Sequence, residues 1–119
     1  FFLYYRNSIV VAVLNTAGGV LISGLAGYAF AKYEFKFKKP LFMFVIATLA
    51  IPPQLGLVGY VVEMRKLHLN NTLFPLIVSG MASSFGVFWM RSFISGGVPG
   101  EIIESGRVDG CGEFGIYFR

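Results

Sequence analysis

Charge is what this sequence has least of. Lys, Arg, Asp and Glu make up 13% of its 119 residues, about half the share usual in a soluble domain. Cysteine is nearly absent too, and Cys111 alone excludes an intrachain disulfide. The single histidine, His68, has no ligating neighbour in sequence and reads as a solvated loop residue rather than a metal ligand. No Gly-Lys-Ser or Gly-Lys-Thr phosphate loop occurs, and no grouping of His, Cys, Ser and acid has a catalytic pattern. Catalytic residues, a cofactor and a metal are therefore not expected, and any ATP hydrolysis has to reside on another chain.

What is present is apolar, with a mean hydropathy of +0.69. No charged residue falls in the 25 positions from Asn7 to Ala31, the 23 from Pro40 to Val62, or the 24 from Leu67 to Met90. About 20 mostly apolar residues suffice for a helix to cross the ~30 Å hydrocarbon core of a bilayer, whereas a buried soluble helix is shorter and keeps a charged face. The fold class expected is thus an all-α membrane protein, with spans over about 9–31, 41–62 and 73–90 in one transmembrane domain. The net charge of +4 is no nucleic-acid footprint, because the cations sit in the gaps between apolar windows, where they set orientation. Arg6 is the only leading charge and no cleavage pattern follows, so a signal peptide is not expected. A start at Phe1 and a stop at Arg119 within a helical pattern lead us to expect an internal piece of a longer protein.

Each window carries its own marks. In the first, Asn15, Gly19, Ser23, Gly27 and Ala31 form an i, i+4 row of small or polar residues. Such a row lets a neighbouring helix approach closely inside lipid, although glycine is common in membrane helices generally. The second window is interrupted by Pro52 and Pro53, which remove ladder bonds and bar Ile51 from the α conformation. A break of this kind lines a solute path in some transporters and is an ordinary kink in others. In the third, Asn71 or Thr72 is placed to cap a helix with Pro75 in its first turn. Ser79, Ala82, Ser83 and Gly86 then make a second small face, and Trp89 with Arg91 marks the lipid–water boundary.

Residues 92–119 differ in character. Pro99 can open a helix with Glu101 and Glu104 near its positive end and Arg107 near its negative end. Gly110 stands where a left-handed helix ending favours glycine, and Phe114, Tyr117 and Phe118 share one face of a second short helix. Lys32, Lys36, Lys38, Lys39, Arg91, Arg107 and Arg119 place seven cations on one side, against Arg6, Arg65 and Lys66 on the other. The positive-inside rule puts the side of seven in the cytoplasm, together with everything after Arg91.

The run from Glu104 through Ser105, Gly106 and Asp109 to Gly110, followed by Cys111 to Phe114, resembles the EAA loop of ABC importer permeases. That loop reads Glu-Ala-Ala, then Asp-Gly-Ala three residues on. Ser105, Gly106 and Cys111 occupy its alanine positions and stay small, though Gly106 weakens a helix by about 1 kcal/mol. Arg6–Ser8, Ala26–Tyr33, Ile51–Pro52 and Leu67–Thr72 are similar to the carbohydrate, maltose-type branch. The resemblance implies a type I importer bundle in which this segment supplies helices two to four of six. It also implies a coupling helix that docks on separate cytoplasmic ATPase subunits, a second permease subunit, an extracytoplasmic solute-binding protein, and a small solute, here a sugar. Glu104, Ser105, Gly106, Asp109 and Gly110 become the ATPase-coupling residues, and Pro52 and Pro53 a helix break on the solute path.

Other readings remain open. A permease of the same superfamily for a polyamine or amino acid would share these features. A secondary transporter would carry an ionisable residue within a window, and none does. The charge count predicts that, in a Cys111-free background, a cysteine at Lys36 is shielded from impermeant thiol reagents in intact cells while one at Asn70 reacts. The reversed labelling pattern would overturn the orientation.

Overall fold

The computed structural model describes every residue from Phe1 to Arg119 and is all-α. Helix α1 runs from Phe2 to Lys32 without interruption, since no proline occurs before Pro40. Its 31 residues extend about 46 Å at 1.5 Å per residue, more than the hydrocarbon core requires. The helix begins seven residues earlier than expected, so that Arg6, Asn7 and Ser8 lie within it. It stops where Tyr33 turns extended (φ −94°, ψ 145°), with Lys32 at the negative end of the helix dipole.

The second window does not form one rod over residues 41–62. Helix α2 spans Lys38–Ala47 and tightens into a 3-10 turn at Thr48–Ala50. A second 3-10 turn, Pro53–Gly56, leads into α3 at Leu57–Lys66. Between them Ile51 (φ −91°, ψ 117°) and Pro52 (φ −61°, ψ 127°) are both extended. Each precedes a proline, whose ring excludes the helical conformation from the residue before it. Two successive extended residues turn the chain by 91°.

The third window departs further from a single helix over 73–90. Helix α4 covers only Phe74–Ser79, and α5 begins afresh at Ser84 and runs to Gly97. In an unbroken helix the carbonyls of Leu76 and Ile77 would accept from the N–H groups of Gly80 and Met81. Met81 N–H instead donates to Val78 O. The Asn15 side-chain amide of α1 donates to Ile77 O at 3.0 Å and to Leu76 O at 3.3 Å. One side chain thus reaches two carbonyls at the break, Leu76 O also accepting from Ser79 Oγ at 3.3 Å, and Ser83 Oγ caps α5 by accepting from Gly86 N–H at 3.1 Å. The caps expected at Asn71 and Thr72 do not form: Leu73 holds the N-cap position, and Thr72 Oγ1 donates back to Leu69 O. Because α5 continues to Gly97, Trp89 and Arg91 sit inside a helix rather than at its end.

The small-residue row of α1 is the seam on which α4 and α5 pack. Asn15 meets Gly80, Ser23 meets Gly86, and Gly27 meets Met90 and Arg91. Ser23 is buried, whereas Val13 and Leu14 on the far side are exposed. Below the seam Phe30, Phe42 and Val87 form a small core joining α1, α2 and α5. Thr48, in the turn after α2, and Ser84 of α5 pair their hydroxyls at 2.6 Å, and Tyr60 of α3 donates to Pro75 O at 2.6 Å. Only eight of 119 residues are buried, so most apolar side chains face outward. Helix α1 is long and apolar enough to cross a membrane, as is the bent pair Lys38–Ala50 with Pro53–Lys66 if counted as one span.

The seam makes the two glycines unequal. A Cβ on Gly27 would lie 2.8 Å from Arg91 N, a rigid backbone atom, whereas one on Gly19 would meet Gly80 O at 3.5 Å, an ordinary contact. Gly27→Ala is therefore expected to destabilise the packed helices by about 1–3 kcal/mol. Gly19→Ala should be neutral or gain up to about 1 kcal/mol of helix propensity. Thermal unfolding in detergent compares them, and equal midpoints would remove the close-approach argument.

Candidate functional site

Two further helices follow α5. Helix α6 spans Gly100–Val108 directly after Pro99, and α7 spans Glu113–Phe118. Glu101 lies in the first turn of α6 and Arg107 in the last, matching the dipole at both ends. The exit from α6 is built by glycine. Gly110 has φ 79°, its N–H donates to Arg107 O at 3.1 Å, and Cys111 N–H donates to Gly106 O at 3.0 Å. Those two bonds define a Schellman ending, which requires a left-handed residue where Gly110 stands. Gly106 also lets α7 close in, since a Cβ there would lie 3.2 Å from the Ile116 side chain.

The five residues grouped by sequence divide by role. Ile103 is the buried residue of α6, while Glu104, Ser105, Asp109 and Gly110 are exposed. Ser105 Oγ donates to Ile102 O within the helix. No hydrogen bond or ion pair within the chain engages the carboxylates of Glu104 and Asp109. With Val108, 87% exposed, they give α6 an acidic and apolar outer face.

Three residues that the sequence did not single out as a group hold this loop to α1. Glu113 accepts from the Tyr33 hydroxyl and from Arg107, whose Nε and Nη2 lie 2.9 and 3.4 Å from its two oxygens. Tyr33 caps α1, Arg107 ends α6 and Glu113 begins α7, so one carboxylate ties three elements together. Tyr117 of α7 sits over Gly24 and meets Tyr28 edge-on at 5.6 Å. Lys32 Nζ donates to Val98 O just before α6. Hydrogen bonding by Tyr33 and then Arg107 holds the Glu113 carboxyl below its ordinary value. The Tyr33 phenol is pushed up to about 12, chiefly because it donates to Glu113.

Against known proteins, the chain is 34% identical over 116 residues to a probable ABC transporter permease protein of Pyrococcus horikoshii, an alignment covering 96% of the chain. It is 32% identical over 116 residues, 98% of the chain, to the arabinooligosaccharides transport system permease protein AraQ of Halalkalibacterium halodurans. To the lactose transport system permease protein LacG of Rhizobium radiobacter it is 30% identical over 116 residues, again 98% of the chain. The chain belongs to the ABC transporter permease family. It spans 42%, 41% and 42% of the length of these three relatives, well under half. No protein-family model and no solved structure matches it.

In this permease segment the other residues of interest lie apart from the loop. Pro52 and Pro53 are exposed at the 91° bend, and a Cβ built on Gly56 or Gly59 just beyond it would meet nothing within 4 Å outside its local backbone. The α6–α7 loop and the proline break are thus two separate features.

The Glu113 latch has a defined pH window. Its depressed carboxyl contributes stability above the ordinary carboxylate range and loses it as pH falls through the lowered value. Tyr33 contributes below 10.0 and loses its share as pH rises towards about 12. In the complete transporter, amide exchange in residues 113–118, corrected for intrinsic rates, should rise severalfold on acidification into that range. Glu113→Gln should start faster and stay flat. A wild-type profile as flat as that of the variant would show the latch to be idle.

Proposed function

We propose that this permease segment forms part of the membrane pathway of an ATP-driven importer and that its α6–α7 loop docks on a separate cytoplasmic ATPase. The observation carrying this reading is the outer face of α6. Glu104, Val108 and Asp109 are exposed and unpaired, on a helix fixed from behind by Ile103, the Gly110 turn and the Glu113 latch. Acidic side chains on a fixed short helix suit a cleft offering Arg or Lys, with charge-assisted hydrogen bonds. Movement of that cleft during the ATP cycle reaches α1 through Tyr33 and Lys32 and biases the bundle between its two openings.

The proposal for the whole protein includes partners that this chain lacks: cytoplasmic ATPase subunits, a second permease subunit and an extracytoplasmic solute-binding protein. The relatives' names speak of transport systems, which supports a multi-part assembly. Carbohydrate uptake is the reading favoured for the solute, because arabinooligosaccharide and lactose permeases are among the relatives. A permease named for sn-glycerol-3-phosphate, 32% identical over 108 residues, supports a second reading, a small polyol phosphate. The membrane location fits the family and the long apolar α1. The cytoplasmic placement of the loop rests on the seven-to-three distribution of cations.

The test acts on the turn. A side chain at φ 79° costs an L-residue about 1–2 kcal/mol, more when β-branched. Gly110→Val in the complete transporter should leave the membrane helices inserted while solute uptake falls and less ATPase co-purifies. Asp109→Ala should act in the same direction and more mildly. Normal uptake with normal ATPase retention in Gly110→Val would sink the coupling role.

A further inference from the structure

Where α1 hands over to α2 the chain encloses an open groove of about 850 Å3, with Lys36, Phe37, Lys39, Phe42 and Arg91 in its wall. Its charges are poorly matched. Glu34, the one acid there, is taken by Lys38 at 2.7 Å, leaving Lys36, Lys39 and Arg91 without a carboxylate. Arg91 lies 4.0 Å from the centre of the Phe42 ring, and its Nε is buried with no hydrogen-bond partner. Lys38 and Lys39 open α2 at the positive end of its dipole, with no acid in the first turn, an arrangement that repels itself. Phe37 is held at φ 66°, unusual for a bulky residue; the residue is 68% exposed and its ring lies beside the Lys36 ammonium.

Cations, a helix N-terminus and exposed rings in one groove match an amphipathic anion better than a soluble one. The turn joins two apolar helices, so it lies at the bilayer surface if the permease reading above holds, and this inference rests on that reading. We propose that the groove binds the phosphate headgroup of an anionic phospholipid, whose acyl chains lie along the exposed Met43 and Phe44 of α2. The headgroup neutralises Lys36, Lys39 and Arg91 together and completes the polar end of α2. Basic grooves between membrane helices on the cytoplasmic side have the charge for such lipids.

Electron spin resonance of the complete transporter, purified in detergent, reads the fraction of spin-labelled lipid held immobile. Wild type should retain phosphatidylglycerol in preference to phosphatidylcholine. Lys36→Gln and Lys39→Gln should each lower that preference about fivefold, and Lys36→Arg should keep it. An unchanged preference in both neutral variants overturns the site, as does displacement of the labelled lipid by millimolar inorganic phosphate, which would mark a soluble-anion site. Failure of a cysteine at Lys36 to react in the purified transporter would show protein covering the groove and would equally overturn it. Solute uptake measured on the same samples separates the two readings, since normal uptake without lipid preference removes the lipid site alone.

Discussion

A Cβ placed on Gly27 would lie 2.6 Å from Met90 Cβ and 2.8 Å from Arg91 N, so α1 and α5 touch there nearly backbone to backbone. In lipid no hydrophobic force draws helices together, and close packing with local hydrogen bonds has to do it. The other contacts follow from that approach. Ser23 can face Gly86 only if the axes are near, and the Asn15 amide can reach Leu76 and Ile77 only on the same seam. Since only eight residues are buried, the seam carries an unusual share of what holds the chain in one shape.

Helix α1 is consequently the spine of the fold. Its middle packs on α4 and α5, Phe30 meets Phe42 of α2, and Tyr33 and Lys32 hold the α6–α7 loop. A displacement of α6 therefore has two polar routes into α1 and one apolar route, through Tyr117 over Gly24. The loop carries acids outward and a latch inward, and Arg107 belongs to the latch. The permease thus carries unpaired acids and the arginine of the latch on one nine-residue helix and its C-cap.

Features set by local sequence were legible in advance, and those made by distant partners were not. The i, i+4 row from Asn15 announced the seam, Pro52 and Pro53 announced a break, and Gly110 announced the turn, because spacing, ring sterics and glycine's freedom act within a few residues. The 91° size of the bend depends on two consecutive extended residues, which a single proline rule understates. The split of the third window was hidden because Asn15, 61 and 62 residues away from the carbonyls it serves, stabilises the break. Glu113 was hidden likewise, with Tyr33 80 positions upstream, and Arg107 read alone looked like a helix-dipole residue. The outer face of α6 was legible as charge and spacing, while the Tyr33 end of its anchor was not.

The broken α4 has a bearing on how the chain is made. The Ile77 carbonyl is costly in hydrocarbon until a donor arrives, and its side-chain donor, Asn15, belongs to a helix that precedes it. Synthesis proceeds from the N-terminus, so α1 leaves the ribosome first and Asn15 can already be in the bilayer when Leu76 and Ile77 emerge. A nascent third segment meeting no α1 would be driven to close its own ladder into one rod. The order of the genetic message thus doubles as an order of assembly, with α1 acting as template for the shape of α4.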